Sequence, residues 1–506
     1  MTDWTHGYVS DISYDYSFFP ELSPTNLAFN LLDHQFFPPS FTNFTYCELG
    51  CGQGFTTNVL AATNPQGNFW GIDFNPNHIA AAQRLATSAQ LNNIQFSDNS
   101  FEEFLTSPTP QFDFIALHGI YSWINDENRK FIVQILSQKL KVGGAVYISY
   151  NALPGWSNLM PLRELMVQYT EGTSASTLQK VEQGLEFAQT LQALNAGYFM
   201  ANPSVKTDLE AMQDNSPVYI GHEYFNQNSY PFYHSKIVQQ LAEAKLNFAA
   251  SAEIGDQFDN LKLNQEQRQL LDTLSNSTLQ ETIRDFILNT RFRKDLFVKG
   301  SARLSSLEQA EILSRMRFAL LVDPENIYYK IKLGERAIQL DENIYKPLVN
   351  AIAHSPQTLR DLMRHPALSH LSFATILQAL KILMTMGDLS PALPEEGEGD
   401  RQRVTSRFNL AVLKRSRFGA ETPILASPIT GSGIEINRAE QLFLLALIRQ
   451  VDPIVFTWNV LQIQGERLLK DDKVLESPEE NQAELQRQFQ LFQETRLPLL
   501  RRLGVI

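Results

Sequence analysis

The sequence contains little cysteine, no long hydrophobic run and no excess of basic residues. Its two cysteines, Cys47 and Cys51, lie in one short segment. Two such neighbours do not make a disulfide framework, so we interpret both as small buried side chains and expect a reducing, cytoplasmic environment. No stretch approaches the roughly 20 apolar residues of a membrane span. The formal net charge of −13 argues against strong binding to nucleic acid, which needs a positive surface.

Length and composition indicate a globular protein of several domains. A chain of 506 residues exceeds the usual size of one domain and suggests roughly two to four. Apolar residues make up 43% and charged residues 19%, as in ordinary globular proteins. Residues 1–14 lack a basic start followed by an apolar core, so we expect no cleaved signal.

The glycine-rich segment Glu48–Gly54 reads ELGCGQG and lies where a strand pattern gives way to a helix pattern. Glycine at positions 50, 52 and 54 permits unusual backbone angles and lets the backbone approach a ligand. A loop that holds a pyrophosphate usually reads G-x-G-x-x-G instead. The pattern resembles motif I of the Rossmann-like methyltransferases that use S-adenosylmethionine. This resemblance implies a ligand with an amino-acid tail and assigns it to Glu48, Gly50, Gly52 and Gly54.

Strand and helix patterns alternate between residues 41 and 150. Such alternation predicts an α/β fold with a mostly parallel, doubly wound sheet that has helices on both faces. Ligands of these sheets bind beyond the carboxyl ends of the strands. The residues that follow each strand are therefore the candidates for the site. The expected strands are Tyr46–Leu49, Phe69–Ile72, Ile94–Phe96, Phe112–Leu117 and Ala145–Ser149.

Acidic residues follow the second and third expected strands. Asp73 ends the second strand, where an acid accepts hydrogen bonds from ribose hydroxyls in nucleoside-binding α/β folds. The alternative is a helix N-cap, since Asn75 and Pro76 come next. We favour ribose binding and assign Phe74 to the same site. Beyond the third strand we assign Asp98 and Asn99 to adenine, the alternative being a cap for the turn at Phe101–Leu105.

Histidine and aromatic residues follow the fourth and fifth expected strands. The segment from Phe112 to Gly119 resembles motif IV of the same enzymes, which places His118 and Tyr121 near the transferred methyl group and His118 near the cofactor. A lone histidine is also often structural. Tyr150 and Asn151 precede a Pro-Gly turn, and we expect them to orient an acceptor group. The alternative is a simple turn with a packed Trp156.

The motifs together resemble a bacterial methyltransferase family with an added methyltransferase regulatory domain. The resemblance covers about residues 1–300 and includes a lead-in segment at Tyr14 that is assigned to the cofactor. It implies the donor S-adenosylmethionine, the product S-adenosylhomocysteine, no metal, and a second domain over the site. Members include rickettsial enzymes that methylate lysines of an outer-membrane protein. The blocks that carry it are Glu48–Gly54, Trp70–Pro76, Leu117–Trp123, Ser149–Asn151, Pro154–Trp156, His222–Asn226 and Arg284–Phe286.

We therefore predict three domains: a methyltransferase domain over residues 1–158, a helical and mixed regulatory or cap domain over 159–300, and a mainly helical domain over 301–506. A winged-helix pattern spans Ile344–Leu393 in the last of these. The expected function is N-methylation of protein lysine side chains, with a protein as partner. The alternatives are a small-molecule methyltransferase and a donor-sensing regulator that uses the winged helix. His222–Asn226 is expected to cap the pocket or to form a structural loop.

Overall fold

A computed structural model describes residues 7–9, 11–12, 16–333, 336–471 and 473–506. Its centre is a sheet of seven strands in the order β3-β2-β1-β4-β5-β7-β6. Strands β1 to β5 pair in parallel, and β7 pairs antiparallel with both β5 and β6. The strands are β1 (Thr45–Leu49), β2 (Asn68–Ile72), β3 (Ile94–Ser97), β4 (Phe112–Leu117), β5 (Leu140–Asn151), β6 (Asn247–Ser251) and β7 (Phe292–Val298).

The predicted parallel α/β sheet is confirmed, and all five expected strands are present. Strand β5 begins at Leu140, five residues before the expected Ala145, and contains an irregularity at Gly143, whose φ is 82°. Helices α1 and α2 cover one face of the sheet, and α4 and α5 cover the other. The helices of this part are α1 (Pro24–Asp33), α2 (Phe55–Thr63), α3 (Pro76–Ser88), α4 (Phe101–Thr106) and α5 (Asp126–Lys139).

The middle region is helical and returns to the sheet at its end. The predicted domain limits at residues 158 and 300 stay a prediction, but one sheet runs across the first limit, because β6 and β7 come from the middle region. Its helices are α6 (Met160–Thr170), α7 (Thr177–Ala193), α8 (Gly197–Ala201), α9 (Pro203–Asp214), α10 (Pro217–Tyr224), α11 (His234–Ala242), α12 (Asp259–Lys262), α13 (Gln265–Asp272) and α14 (Ser277–Leu288).

The C-terminal region begins with a small antiparallel sheet in the order β11-β8-β12. Helix, short strand, two helices and a strand follow one another over residues 342–392, as the winged-helix pattern predicts, but the third strand β8 precedes them in the chain. The elements are α15 (Ser306–Arg315), β8 (Arg317–Leu320), β9 (Lys330–Leu333), β10 (Arg336–Gln339), α16 (Glu342–Ile352), β11 (Gln357–Thr358), α17 (Leu359–Arg364), α18 (Phe373–Thr385) and β12 (Leu389–Ala392).

The last part of the chain packs against the helix that follows the glycine loop. Phe55 and Val59 of α2 belong to the same hydrophobic core as Phe408 and Leu445. This contact buries the face of α2 that the sheet does not cover. The remaining elements are α19 (Glu398–Arg415), β13 (Ile424–Ser427), β14 (Ser432–Glu435), α20 (Arg438–Ile448), α21 (Pro453–Ile463), β15 (Leu469–Lys470), β16 (Lys473–Val474), α22 (Pro478–Leu491) and α23 (Leu497–Arg502). Among the described residues, the helices are too short or too polar to cross a membrane.

A buried cluster of charges joins β7 to the middle region. The Asp295 carboxylate accepts hydrogen bonds from the Tyr150 hydroxyl at 2.6 Å and from Arg293 Nε at 3.0 Å, and it lies 3.1 Å from His234 Nδ1. Arg293 also forms ion pairs with Asp285 and Glu281. Burial alone would raise the pKa of Asp295, but the Arg293 charge and the His234 hydrogen bond lower it to about 2.

Replacing Asp295 with alanine is expected to destabilise the fold by about 3–5 kcal/mol, because Arg293 would keep a buried charge with less compensation. The thermal unfolding midpoint measures this effect. Glu311→Ala is the control, since its pair with Arg315 is exposed and contributes about 0–1 kcal/mol. Equal shifts in the two variants would contradict the expectation.

The pH dependence of Asp295 has a definite sign. Its pKa in the fold lies below the ordinary value of 3.8, so its stabilisation is complete above that pH and is lost as the pH falls towards 2. The thermal unfolding midpoint of the wild type is expected to exceed that of Asp295→Ala, and this difference should therefore become smaller as the pH falls. A difference that grew instead would contradict the assignment.

Candidate active site

A cleft of about 1190 Å³, including its open mouth, lies at the carboxyl edge of the sheet. The glycine loop after β1, the turn after β2 and the segment after β4 form its walls. The residues that line it include Glu48, Gly50, Gly52, Asp73, Phe74, Asn99, His118, Gly119, Ile120 and Trp123. Most of the predicted cofactor residues therefore come together in one cleft, as the parallel topology requires.

The glycine loop turns sharply between β1 and α2. Gly54 is the N-cap of α2 and has a φ of 62°. A Cβ there would come within 2.6 Å of Ala82 on α3, so glycine allows the two helices to pack closely. At Gly52, whose φ is 53°, a Cβ would meet no atom within 4 Å, because this residue faces the open cleft. The loop thus exposes bare backbone to a ligand.

Asp73 holds the loop in place and still faces the cleft. Its carboxylate accepts hydrogen bonds from the Gly52 N–H at 3.0 Å and the Asn75 N–H at 2.9 Å, and Oδ1 lies 3.1 Å from His78 Nδ1. The N-cap of α3 is Asn75, whose side chain accepts a hydrogen bond from the N–H of Asn77. Asp73 is therefore not the N-cap of this helix. A carboxylate has about four acceptor positions, which leaves one on Oδ2 for a ligand hydroxyl.

Glu48 lies at the floor of the cleft and is buried. Burial raises the pKa of its carboxyl to about 7, partly opposed by the hydrogen bond that the Thr57 hydroxyl donates and increased by the nearby Asp73 charge. Two acidic groups therefore face the same loop, and a cationic group bound there would be stabilised by both.

At the adenine end, the structure distinguishes between the two predicted residues. Asn99 and Ser100 line the cleft, together with Phe101. Asp98 is exposed and is not among the lining residues. It is also not the cap of α4, because Ser100 forms the capping box with Glu103. Asn99 is thus the better placed of the two to contact adenine.

His118 lines the cleft directly after β4. Its Nδ1 is 2.8 Å from the Tyr147 hydroxyl, and its ring stacks on Phe19 with centroids 3.7 Å apart. Burial, helped by the Lys294 charge, lowers the pKa of His118 to about 3. The imidazole is therefore neutral at physiological pH, which avoids a positive charge beside a cationic donor.

Strand alternation separates the predicted catalytic residues. Ser149 accepts a hydrogen bond from the N–H of the cleft residue Gly119, and Asn151 lies on the same face of β5 two residues later. Tyr150 points to the opposite face, where its hydroxyl bonds Asp295. Tyr121 is buried with its hydroxyl 3.1 Å from Gln240 on α11. The predictions that Tyr121 lies beside the transferred methyl group and that Tyr150 faces the acceptor are thus corrected, since neither lines the cleft. Asn151 is also not among the lining residues, although it shares a strand face with Ser149.

The N-terminal segment contributes a cleft residue that sequence patterns did not indicate. Tyr8 lines the cleft, with its ring 5.9 Å from Phe74 and 5.8 Å from His222. Hydrogen bonds between Gly7 and Gln227 and between Val9 and Asn226 hold it there. Both bonds span more than two hundred residues, so no local pattern predicts them. Tyr14, which we assigned to the cofactor, lies outside the described residues.

Comparisons with known proteins agree with this geometry. The model of a methyltransferase domain matches residues 40–210, and that of a predicted methyltransferase regulatory domain matches residues 216–299. An uncharacterised protein from Synechocystis sp. is 42% identical over 503 residues, which are 99% of this chain and 99% of the relative. A tRNA (guanine-N(7)-)-methyltransferase from Serratia proteamaculans is 29% identical over 26% of this chain and 55% of its own.

A solved structure has the same fold over nearly the whole chain. PKMT2 from Rickettsia typhi in complex with AdoHcy superposes with a TM-score of 0.71 over 97% of this chain and 99% of that chain, at 20% identity. At this identity the likeness is one of fold. Fold and cleft thus define a methyltransferase that uses S-adenosylmethionine. The chain belongs to the bacterial family in which such a domain is followed by a methyltransferase regulatory domain.

The residues that line the cleft have the chemical groups needed to bind S-adenosylmethionine. Bare backbone at Gly52 suits the amino-acid tail, the free acceptor position of Asp73 suits a ribose hydroxyl, and Phe101 with Asn99 suits a purine. When bound, this cofactor supplies a methyl group already activated by a sulfonium. The chain's own task is to orient the reactants and to exclude water.

Asp73→Ala is expected to lower the affinity for S-adenosylhomocysteine by about 100-fold, because it removes one charge-assisted hydrogen bond and releases the Gly52 loop. Isothermal titration calorimetry measures the affinity. Asp98→Ala is the matched control, since its exposed carboxylate is not part of the cleft wall, and it should stay within about two-fold of wild type. A larger effect at Asp98 than at Asp73 would contradict the site.

Proposed function

We propose that this enzyme N-methylates lysine side chains of a protein. The observation that carries the proposal is a series of packed aromatic ring contacts that connects the cleft to the regulatory domain. Trp123 lines the cleft and lies 6.5 Å from Trp156 between ring centroids, and Trp156 lies 5.8 Å from Tyr224 on α10. Aromatic faces attract a cationic ammonium and suit a long, apolar side chain with a charged end.

Two further facts support this proposal. The family resemblance includes rickettsial enzymes that methylate lysines, and PKMT2 from Rickettsia typhi shares the fold over 97% of this chain. The large C-terminal region, which packs on α2, also offers surface for a macromolecule to dock. A cytoplasmic location is part of the proposal, in line with the free thiols of Cys47 and Cys51.

The residues of the chain suit transfer to an amine. A lysine must lose its proton before it can act as a nucleophile, and a water-poor, aromatic site lowers the pKa of an ammonium group. The neutral His118 ring and its stacking partner Phe19 form an uncharged wall beside the reacting groups. In-line displacement then depends mainly on orientation, which the rigid ends of β4 and β5 provide.

The test uses purified protein, tritiated S-adenosylmethionine and host lysate. Label is counted separately in the protein precipitate and in the soluble fraction, and the labelled amino acid is identified after acid hydrolysis. We expect methyl-lysine in the precipitate, and none with Asp73→Ala, whose cofactor affinity is reduced.

Label found only in soluble metabolites would favour a small-molecule acceptor. Donor binding without any transfer would favour a donor-sensing regulator. Either result contradicts the proposed function.

A further inference from the structure

The residue at the carboxyl end of β5 connects the cleft to the regulatory domain. The Asn151 N–H donates to the Ser122 hydroxyl at 2.9 Å, and its carbonyl accepts from the Phe232 N–H at 2.8 Å. Ser122 is adjacent to the cleft residue Trp123. The main chain of Asn151 is thus fixed on both sides, and its side chain is buried.

The Asn151 side chain is hydrogen-bonded to the carboxylate of Glu223, at the end of α10 in the regulatory domain. The neighbouring residue His222 reaches the cleft from the other side, through its ring contact with Tyr8. The end of α10 therefore contacts the cleft residue Tyr8 through His222 and the end of β5 through Glu223.

Two tyrosines of α10, Tyr219 and Tyr224, interact electrostatically with this carboxylate. Tyr219 lies one turn earlier on the same face of α10, and Glu223 raises the pKa of its hydroxyl beyond the effect of burial. Tyr224 connects α10 to Trp156 and Trp123 through ring contacts. Tyr219 is 43% exposed.

The acid itself has no charged partner that explains its burial. Burial raises the pKa of Glu223 to about 7, while the hydrogen bond with Asn151 acts in the opposite direction. No charged side chain among the described residues contributes to this shift. A partly buried carboxyl group without a cation, among aromatic rings, is typical of a site that receives a cation from outside.

We propose that Glu223 of the regulatory domain binds the ammonium group of the acceptor lysine and removes its proton, and that Asn151 orients the carboxylate. The inference rests on the proposed function and adds to it a catalytic residue from the second domain. The regulatory domain would then complete the acceptor site as well as cover it.

The proton and electron balance of this step is simple. The lysine N–H bond breaks and its proton passes to the Glu223 carboxylate, which leaves a neutral amine. The nitrogen lone pair then forms the N–CH₃ bond, the S–CH₃ bond breaks, and its electron pair stays on sulfur. The product is a methylammonium ion, and Glu223 later releases its proton to water.

Other titratable groups lie around Glu223. On its own helix they are His222, Tyr219 and Tyr224. Arg163 on α6 donates to the Tyr224 carbonyl, and Arg291 forms a bidentate pair with Asp208 on α9 next to Tyr224. These groups remain when Glu223 alone is replaced, so a change in the pH profile would report on this carboxylate.

The test is Glu223→Gln, with Glu210→Gln on the exposed face of α9 as control. Rates of methyl-lysine formation in the host protein fraction are measured with saturating S-adenosylmethionine over roughly two pH units on either side of the pKa of the base. The wild-type rate should rise through about pH 7, where Glu223 loses its proton. Glu223→Gln should lose this limb and about 100-fold in rate, with unchanged affinity for S-adenosylhomocysteine.

A second variant separates a chemical role from a structural one. Glu223→Ala should be inactive and should recover part of its rate when formate is added, because a small carboxylate can replace the missing one. A loss of S-adenosylhomocysteine affinity that matches the loss in rate, without formate rescue, would overturn the inference. Wild-type rates in Glu223→Gln would also overturn it and leave lysine methylation intact. Absence of methyl-lysine with wild type would refute the proposed function and the inference together.

Discussion

The antiparallel pairing of β7 with β5 is the contact on which the arrangement of the site depends. It runs without interruption from the pair Ala145 and Val298 to the pair Asn151 and Phe292. More than a hundred residues of the middle region lie between these strands, and the pairing brings their end back to the sheet. It also sets Arg293 and Asp295 opposite the end of β5, where Asp295 accepts hydrogen bonds from the Tyr150 hydroxyl and from Arg293. Closing so long a loop costs conformational entropy, which the ladder and the buried ion cluster offset.

A consequence of this pairing is that the methyltransferase domain and the regulatory domain both contribute strands to one sheet. The side of β5 that carries Tyr147, Ser149 and Asn151 faces the cleft edge, and the opposite side carries Tyr150 into the buried cluster. One face of β5 thereby contacts residues of the cleft, and the other face stabilises the fold through the buried charges. The regulatory domain is attached directly behind the acceptor end of the cleft, through α10 and the segment that follows Ser122.

Electrostatics divides the cleft into regions with different tasks. Asp73 and, in part, Glu48, whose pKa is raised to about 7, place negative charge at the glycine loop, and His118 stays neutral because it is buried. Such a pattern suits a cationic donor, since the acids attract it and the neutral His118 ring does not repel it. Glu223, at the far side of Asn151, is the corresponding acid for the acceptor.

Several parts of this arrangement could be predicted from local sequence. The glycine spacing, the strand alternation and the acid after β2 identify a parallel sheet and the residues at its carboxyl edge, because each follows from backbone geometry within a few residues. Tyr150 and Asn151 show the limit of such reasoning. Both end the same strand, but a period of two sends them to opposite faces. Only the partners of β5 reveal which face meets the cleft.

The sequence by itself determined the class of fold, the cofactor loop and the position of Asp73, since these depend on short-range conformational preferences and on motifs. Tertiary structure alone decided that Tyr8 enters the cleft, that Tyr121 and Tyr150 leave it, and that Glu223 meets Asn151. These contacts join residues far apart in the chain. They are fixed by strand pairing and core packing, which no local pattern encodes.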